Sequence, residues 1–175
     1  MKFNMLLNGG FIVYFRHGEA TIGKDYPTVI FSDCQTQRNL SETGRWQARI
    51  IGTVFSNKGI PVEATIISSP FCRAINTARI AFPNKNICIN YSLAGVVALS
   101  GEVTISDVER SAIIRDTKSL LELPPAIGQN RIIIGHSFPK EVMLGDVPYL
   151  TGIVIKPKGW GNGYEIIGKW DFSKI

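Results

Sequence analysis

The sequence has no long hydrophobic run of the kind that crosses a membrane. No apolar stretch approaches the roughly 18–20 residues that a transmembrane helix needs. The apolar residues 1–15 are interrupted by Asn8-Gly9-Gly10 and contain no small-residue cleavage site, unlike a secretory signal peptide. The sequence as given therefore predicts a cytoplasmic protein without a membrane partner. Removal of a signal peptide would make a periplasmic location the alternative.

Charged residues are also scarce. They make up 19% of the 175 residues, whereas hydrophobic residues make up 45%, which excludes a disordered chain and predicts a single domain over residues 1–175. The formal net charge of +5 suits an anionic ligand. Lysine and arginine are scattered without a basic run of five or more, so nucleic acid is not expected as a partner.

Cysteine and histidine are rare. The chain has three cysteines, Cys34, Cys72 and Cys88, and two histidines, His17 and His136. No two cysteines have metal-ligand spacing and no further ligands cluster with the histidines, so we expect neither a metal site nor another cofactor. The odd count excludes a complete disulfide framework. Two interpretations stay open, namely three buried reduced thiols, or one bridge and one buried thiol.

Short apolar segments rich in β formers alternate with segments of helical periodicity. Strands are predicted at residues 11–15, 65–68, 87–90 and 131–135, helices at 41–55, 73–81 and 104–123, and a terminal hairpin from 153–155 and 164–167. This alternation predicts an α/β fold. The expected architecture is a three-layer sandwich, with a mainly parallel central sheet, helices on both faces and a C-terminal hairpin.

Chemically active side chains follow three of the predicted strands. Arg16 and His17 follow the first strand, Arg73 comes shortly after the second, and His136 follows the strand at 131–135. In such sheets, ligands bind beyond the carboxyl ends of the strands. We therefore expect both histidines and both arginines to line one crevice.

This set of residues suits phosphoryl chemistry. A largely uncharged imidazole can attack phosphorus without a separate base. Arginine neutralises phosphate oxygens with planar, forked donors, and a second histidine can donate a hydrogen bond to a phosphoryl oxygen. The Cys-x5-Arg spacing of cysteine-based phosphatases and a Walker A sequence are both lacking.

Four stretches carry a resemblance to a known family. They are FRHGEAT at 15–21, QRNLSETGRWQA at 37–48, SSPFCRAINTA at 68–78 and IIIGHS at 132–137. The chain resembles the histidine phosphatase superfamily, the phosphoglycerate mutase-like group, and within it small bacterial members. The resemblance implies a metal-independent phosphatase in which His17 is phosphorylated while Arg16, Arg73 and His136 hold the phosphoryl group.

The resemblance also implies a carboxylic acid, after the third strand, that protonates the leaving oxygen. The carboxyl residues there are Glu102, Asp107 and Glu109. We favour Glu102 because it lies in a glycine-containing loop. Asp107 and Glu109 are typical first-turn residues near a helix N-terminus.

Two departures from the mutases favour hydrolysis. Residues 19–23 lack the asparagine that mutases carry there, and residues 89–131 lack the insert that grips a phosphosugar. The expected activity is hydrolysis of a phosphate monoester, with a phosphorylated small molecule or a phosphoprotein as partner. Two alternatives stay open, a phosphohistidine protein phosphatase and a phosphate-binding module without turnover.

Residues outside the core motifs carry three further expectations. Glu19 is interpreted as a structural hydrogen-bond acceptor. Arg38 precedes the helix at 41–55 and either contacts substrate at the rim of the crevice or is a surface residue beside the helix. The loops of Cys34 and Cys72 should border the crevice, so a bridge is conceivable if their Cα atoms lie within about 7 Å. Such a bridge would favour an oxidising compartment.

Overall fold

One six-stranded sheet forms the centre of the fold. The computed structural model describes residues 2–101 and 103–174. The strand order is β3-β2-β4-β1-β5-β6. The strands are β1 Ile12–Arg16, β2 Thr65–Ser68, β3 Asn86–Ile89, β4 Arg131–Gly135, β5 Thr151–Pro157 and β6 Tyr164–Asp171. Strands β1 to β4 are parallel, whereas β5 and β6 are an antiparallel hairpin that continues the sheet from β1.

Helices cover both faces of this sheet. They are α1 Glu42–Asn57, α2 Cys72–Ala81, α3 Ser92–Ala98 and α4 Asp107–Glu122. Alternate residues of β1 face opposite layers, because successive side chains of a strand point to opposite faces. Val13 and Phe15 belong to one buried cluster and Ile12 and Tyr14 to the other. The predicted three-layer α/β fold is confirmed, and burial on both faces explains the continuous apolar run of β1.

The helices differ from the expectation chiefly at α4 and α3. Helix α1 begins after Ser41, whose Oγ accepts a hydrogen bond from the Gly44 N–H at 3.0 Å, as predicted. Helix α4 begins at 107 rather than 104, because Ser106 and Glu109 form a reciprocal capping box. Helix α3 was not predicted at all. None of the helices in the described part of the chain has the length and apolar character of a membrane span.

A disulfide joins the β1–α1 loop to the first residue of α2. Cys34 and Cys72 are bonded, with their Cα atoms 5.7 Å apart. The bridge that the sequence left open is therefore present. The expectation of a buried third thiol was wrong, because Cys88 lies on the edge strand β3 and is exposed.

We expect this disulfide to make a large contribution to stability. It closes a loop with a sequence separation of 38 residues. Changing Cys34 and Cys72 together to serine should lower the free energy of unfolding by about 3–4 kcal/mol, chiefly because the unfolded chain regains entropy. Urea unfolding of the variant and of the oxidised protein measures the difference. Cys88→Ser is the matched control and should change little, and equal stability of all three proteins would contradict the expectation.

Candidate active site

The carboxyl ends of three adjacent strands meet at one cavity. β2, β4 and β1 are neighbours in the sheet and run in the same direction. The cavity measures about 280 Å³ and is lined by Arg16, His17, Gly23, Lys24, Asp25, Arg38, Arg73, Val97, Ser100, His136 and Ser137. The structure therefore brings the four predicted core residues and Arg38 together. A larger groove of about 580 Å³ between the ends of α1 and α2 contains neither histidine.

His17 is oriented with its Nε2 lone pair unprotonated. The side chain is 3% exposed, and its Nδ1 lies 2.6 Å from the carbonyl oxygen of Gly18. A carbonyl can only accept, so Nδ1 carries the proton and donates it. Nε2 accepts a hydrogen bond from Nε of Arg73 at 3.2 Å. The atom that would attack phosphorus, Nε2, is thus unprotonated, and its lone pair accepts a hydrogen bond from the guanidinium of Arg73.

The loop after β1 is fixed so that His17 keeps this position. The N–H of Gly18 donates to Oγ1 of Thr77 at 3.0 Å, and Thr77 Oγ1 donates to the carbonyl of Arg73 at 2.7 Å. The carboxylate of Glu19 accepts from Oγ of Ser41 at 2.7 Å. The prediction that Glu19 is a structural acceptor is confirmed, since it ties this loop to the start of α1.

The surroundings keep both histidines neutral. Burial lowers the pKa of His17 to about 3, and the positive charges of Arg73, Arg16 and Arg38 act in the same direction against the opposing hydrogen bond to Gly18. Burial also holds the pKa of His136 well below its usual value, and the nearness of His17, Arg73 and Arg16 acts in the same direction. A neutral imidazole is the form that can attack phosphorus at neutral pH.

These pKa shifts predict a loss of stability in mild acid. The unfolded chain binds protons on its histidines near pH 6.5, whereas folded His17 binds one only near pH 3. Stability that is fully present above pH 6.5 should therefore be lost as pH falls toward 3. With both histidines acting, the slope is up to about 2.7 kcal/mol per pH unit. Urea unfolding between pH 7 and 5 measures the slope. His17→Asn should reduce this slope by about half, because only one of the two histidines remains. A stability that does not change with pH in the parent protein would contradict the lowered pKa values.

His136 is held by contacts on its ring and on its backbone. Its Nε2 lies 2.8 Å from Oγ of Ser69, and its ring centroid is 5.2 Å from that of His17. The Tyr14 hydroxyl accepts from the backbone N–H of His136 at 2.9 Å and donates to its carbonyl at 2.8 Å. Sequence reasoning did not select Ser69 or Tyr14, although Ser69 lies within the SSPFCR motif.

Arg73 is a buried arginine that contacts an aromatic ring and a carboxylate as well as His17. It is 2% exposed, and its Cζ lies 4.2 Å from the ring centroid of Phe71. Its Nη1 and Nη2 donate to the two carboxylate oxygens of Asp25 at 2.8 and 3.1 Å. Sequence reasoning missed Asp25, because it lies in a loop without a motif.

Arg16 carries an unsatisfied donor. Its Cζ lies 4.2 Å from the ring centroid of Tyr149, a residue that the sequence did not single out. Its Nε is buried and has no hydrogen-bond partner among the described residues. An unpaired buried donor on a cation is costly, so this arrangement favours an anionic ligand beside Arg16.

Arg38 lies at the cavity, as one of its two interpretations required. Its backbone N–H donates to Oδ1 of Asp25 at 2.8 Å, and its carbonyl accepts from Nη1 of Arg73 at 3.4 Å. Arg38 and Lys24 are both among the residues that line the cavity. Contact of Arg38 with substrate stays a prediction.

The three candidate proton donors, Glu102, Asp107 and Glu109, follow β3 along the chain. Glu102 lies outside the described residues. Asp107 begins α4, and Glu109 accepts from the N–H and the hydroxyl of Ser106, both at 2.8 Å, which lowers its pKa. Neither lines the cavity. Within residues 2–101 and 103–174, no group of three or more ligating side chains could hold a metal ion.

Fold and site together define a phosphate-handling α/β enzyme. The family model of the histidine phosphatase superfamily, branch 1, matches residues 12–92, which include Arg16, His17 and Arg73. The matched residues run from β1 to the start of α3, and together with the fold they support the predicted assignment to this superfamily and the predicted class of phosphatase. No curated protein sequence matches the chain.

Solved structures share this fold across nearly the whole chain. A candidate alpha-ribazole-5'-P phosphatase from Escherichia coli is 16% identical with a TM-score of 0.61, covering 90% of this chain and 95% of that one. A histidine-to-alanine mutant of phosphoserine phosphatase from Entamoeba histolytica, in complex with phosphoserine, is 14% identical with a TM-score of 0.58, covering 94% and 98%. The protein histidine phosphatase SixA complexed with tungstate is 14% identical with a TM-score of 0.54, covering 94% and 98%. At these identities the likeness concerns the fold.

Proposed function

We propose that the protein hydrolyses a small phosphate monoester through a phosphohistidine intermediate on His17. The observation that carries this proposal is the neutral imidazole of His17, whose Nε2 lone pair meets the guanidinium of Arg73 at the cavity. A nucleophile and a phosphate-binding cation are thus in contact before any substrate enters.

The reaction would proceed in two displacements at phosphorus. Phosphate oxygens take over the Nε–H of Arg73 and the unpaired Nε–H of Arg16, which frees the Nε2 lone pair of His17. Nε2 then forms a bond to phosphorus as the bond to the leaving oxygen breaks in line with it. The leaving oxygen takes a proton from the carboxylic acid, for which the sequence favours Glu102, and departs as an alcohol. Water next attacks phosphorus as the bond to Nε2 breaks and gives a proton back to that carboxylate, which releases inorganic phosphate and restores neutral His17.

The positive side chains around the cavity would stabilise both transition states. Arg16, Arg73, Arg38 and Lys24 line it. Charge on the phosphoryl oxygens is neutralised by donors that are already in place, which is the most effective form of electrostatic catalysis. His136 lies beside the nucleophile, and we assign it a hydrogen bond to a phosphoryl oxygen.

The dimensions of the cavity favour a small substrate. Its volume of about 280 Å³ is just below the roughly 300–1,000 Å³ that is usual for ligand pockets. The buried His17 lies within it, so a flat protein surface could reach the nucleophile only through a side chain that extends inward. A phosphohistidine side chain on a protein is that kind of substrate and is the second candidate.

The proposal is tested by trapping the intermediate. Protein mixed rapidly with radiolabelled aryl phosphate and quenched in alkali should carry label that is stable in base, labile in acid and located on His17. Vanadate should inhibit turnover. A panel of alkyl phosphates and phosphohistidine peptides then separates the two substrate classes. Binding of phosphate without turnover of any substrate would leave a binding module and would overturn the proposal.

Chelators should leave the activity unchanged. The proposed catalysis uses arginine and histidine side chains as the positive groups, so no step needs a divalent cation. Turnover of aryl phosphate before and after dialysis against EDTA measures this. Inactivation by EDTA that added magnesium or zinc reverses would contradict it.

We further propose an oxidising compartment, such as the periplasm, as the site of action. The support is the Cys34–Cys72 disulfide beside the candidate site, since such bonds persist in oxidising environments and are rare in the cytosol. Cell fractionation with an antibody tests this location. Recovery of reduced protein from the cytosol would overturn it.

A further inference from the structure

Asp25 binds the end of the Arg73 guanidinium that points away from His17. Nη1 and Nη2 together donate to both oxygens of Asp25, whereas Nε donates to His17. The fork of Nη1 and Nη2 is therefore occupied, and the edge that carries Nε faces the nucleophile. A guanidinium has only a few ways to present two parallel donors, so the carboxylate decides which edge meets a phosphoryl group.

Asp25 is itself held in place from several directions. Its Oδ1 also accepts the backbone N–H of Arg38 at 2.8 Å. The loop that carries Arg38 is joined to α2 by the disulfide at Cys72 and by the Cys72 N–H, which donates to Oε1 of Gln37 at 2.8 Å. The carboxylate is thus part of a cross-linked wall of the cavity, and its side chain is 19% exposed.

We propose that Asp25 is a positioning residue of the phosphatase reaction. It fixes Arg73 so that the Nε edge meets the phosphoryl group, and it stops the fork of Nη1 and Nη2 from turning toward the substrate. Its charge also compensates a guanidinium that is 2% exposed, which would otherwise be a costly buried cation. The inference rests on the proposed function.

Two other roles for Asp25 make different predictions. A proton donor would matter most for alkyl substrates, because an alkoxide leaves poorly without a proton while an aryl phenolate does not need one. A purely structural ion pair would lower stability and leave turnover unchanged. All three hydrogen bonds to Asp25 use its oxygens as acceptors, which suits positioning.

The chain offers a matched control in a second carboxylate–arginine pair. Glu63 accepts two hydrogen bonds from Arg131 at 2.8 and 3.0 Å, and its side chain is 16% exposed. Arg131 begins β4, whereas the candidate site lies at the other end of that strand. Glu63→Gln therefore removes a similar pair at a distance from the cavity.

The experiment compares Asp25→Asn, Asp25→Ala and Glu63→Gln on an alkyl phosphate and on 4-nitrophenyl phosphate. We expect Asp25→Ala to lower kcat/KM by about 100-fold on both substrates, the usual cost of misplacing a reacting group by about 1 Å. The loss should fall mainly on kcat. Asp25→Asn keeps an acceptor oxygen and should lose about 10-fold. Glu63→Gln should lose thermal stability and keep kcat/KM.

The possible results distinguish the three roles of Asp25. Unchanged kcat/KM in both Asp25 variants would overturn the proposal in favour of a structural pair. A loss at least ten times larger on the alkyl phosphate would overturn it in favour of a proton donor. Glu102→Gln serves as the comparison here, since the sequence predicts that this variant shows the selective loss. If Asp25→Ala does not fold, Asp25→Asn alone gives the answer. Failure of the proposed function would appear separately, as full activity of a His17 variant.

Discussion

His17→Ala should abolish phosphatase activity, with a fall in kcat of more than about 10⁴-fold, because removal of a covalent nucleophile leaves only binding and electrostatic effects. The nucleophilic atom would be Nε2, which is unprotonated and in contact with Arg73. His136 cannot easily replace it, because its Nε2 is engaged by Ser69. Initial rates on aryl and alkyl phosphates measure the loss.

The His17 variant also needs evidence that the fold persists. The imidazole is buried, so alanine leaves a small cavity, and His17→Asn is a second variant of closer size. At least one of them should keep the circular dichroism spectrum of the parent protein. It should also still bind inorganic phosphate, since Arg16, Arg73 and His136 remain. Substantial turnover by a folded variant would exclude the phosphohistidine mechanism.

Loss of Arg73 should have the second largest effect. Arg73→Met should lower kcat/KM by about 10³-fold, since removal of one preorganised donor to a developing charge commonly costs 10²–10³-fold and this variant also removes a buried positive charge beside the nucleophile. Arg73→Lys keeps the charge and loses the fork, so it should recover little of that activity. Kinetics on 4-nitrophenyl phosphate and inhibition by vanadate report the change.

Arg73→Met should also destabilise the protein, because Asp25 loses its partner. Breaking a fully buried pair costs about 3–5 kcal/mol, and the cost here should be smaller since the carboxylate keeps 19% exposure. Arg79 lies on the exposed face at the end of the same helix, so Arg79→Met is the matched control and should change neither activity nor stability much. An active Arg73→Met variant would remove this residue from the mechanism.

Local patterns in the sequence were sufficient to predict the sheet and the core of the site. β1 is a continuous apolar run because both of its faces are buried. Strands at 65–68 and 131–135 agree with the structure residue for residue. Parallel strands place their carboxyl ends together, so the residues that follow them can be assigned to one crevice from the sequence alone.

Elements that depend on distant contacts were beyond that reasoning. Helix α3 is short and contains Gly95, which gives it little intrinsic helical stability. It forms because it packs against α4, where Ile113 occupies the space that a side chain at Gly95 would fill. The sequence could propose the Cys34–Cys72 bridge but could not choose it over reduced thiols, because the Cα separation is a tertiary quantity.

The sequence by itself was enough to predict the chemistry, since residue type and position after a strand indicate which groups could attack and hold a phosphate. The tertiary structure alone decided how those groups are oriented and charged. Asp25 and Tyr149 hold the two arginines from loops that have no periodicity and no motif. The neutrality of His17 likewise arises from burial and from positive charges that folding brings near it. The residues next to His17 in the sequence do not indicate that burial or the approach of Arg73 and Arg38.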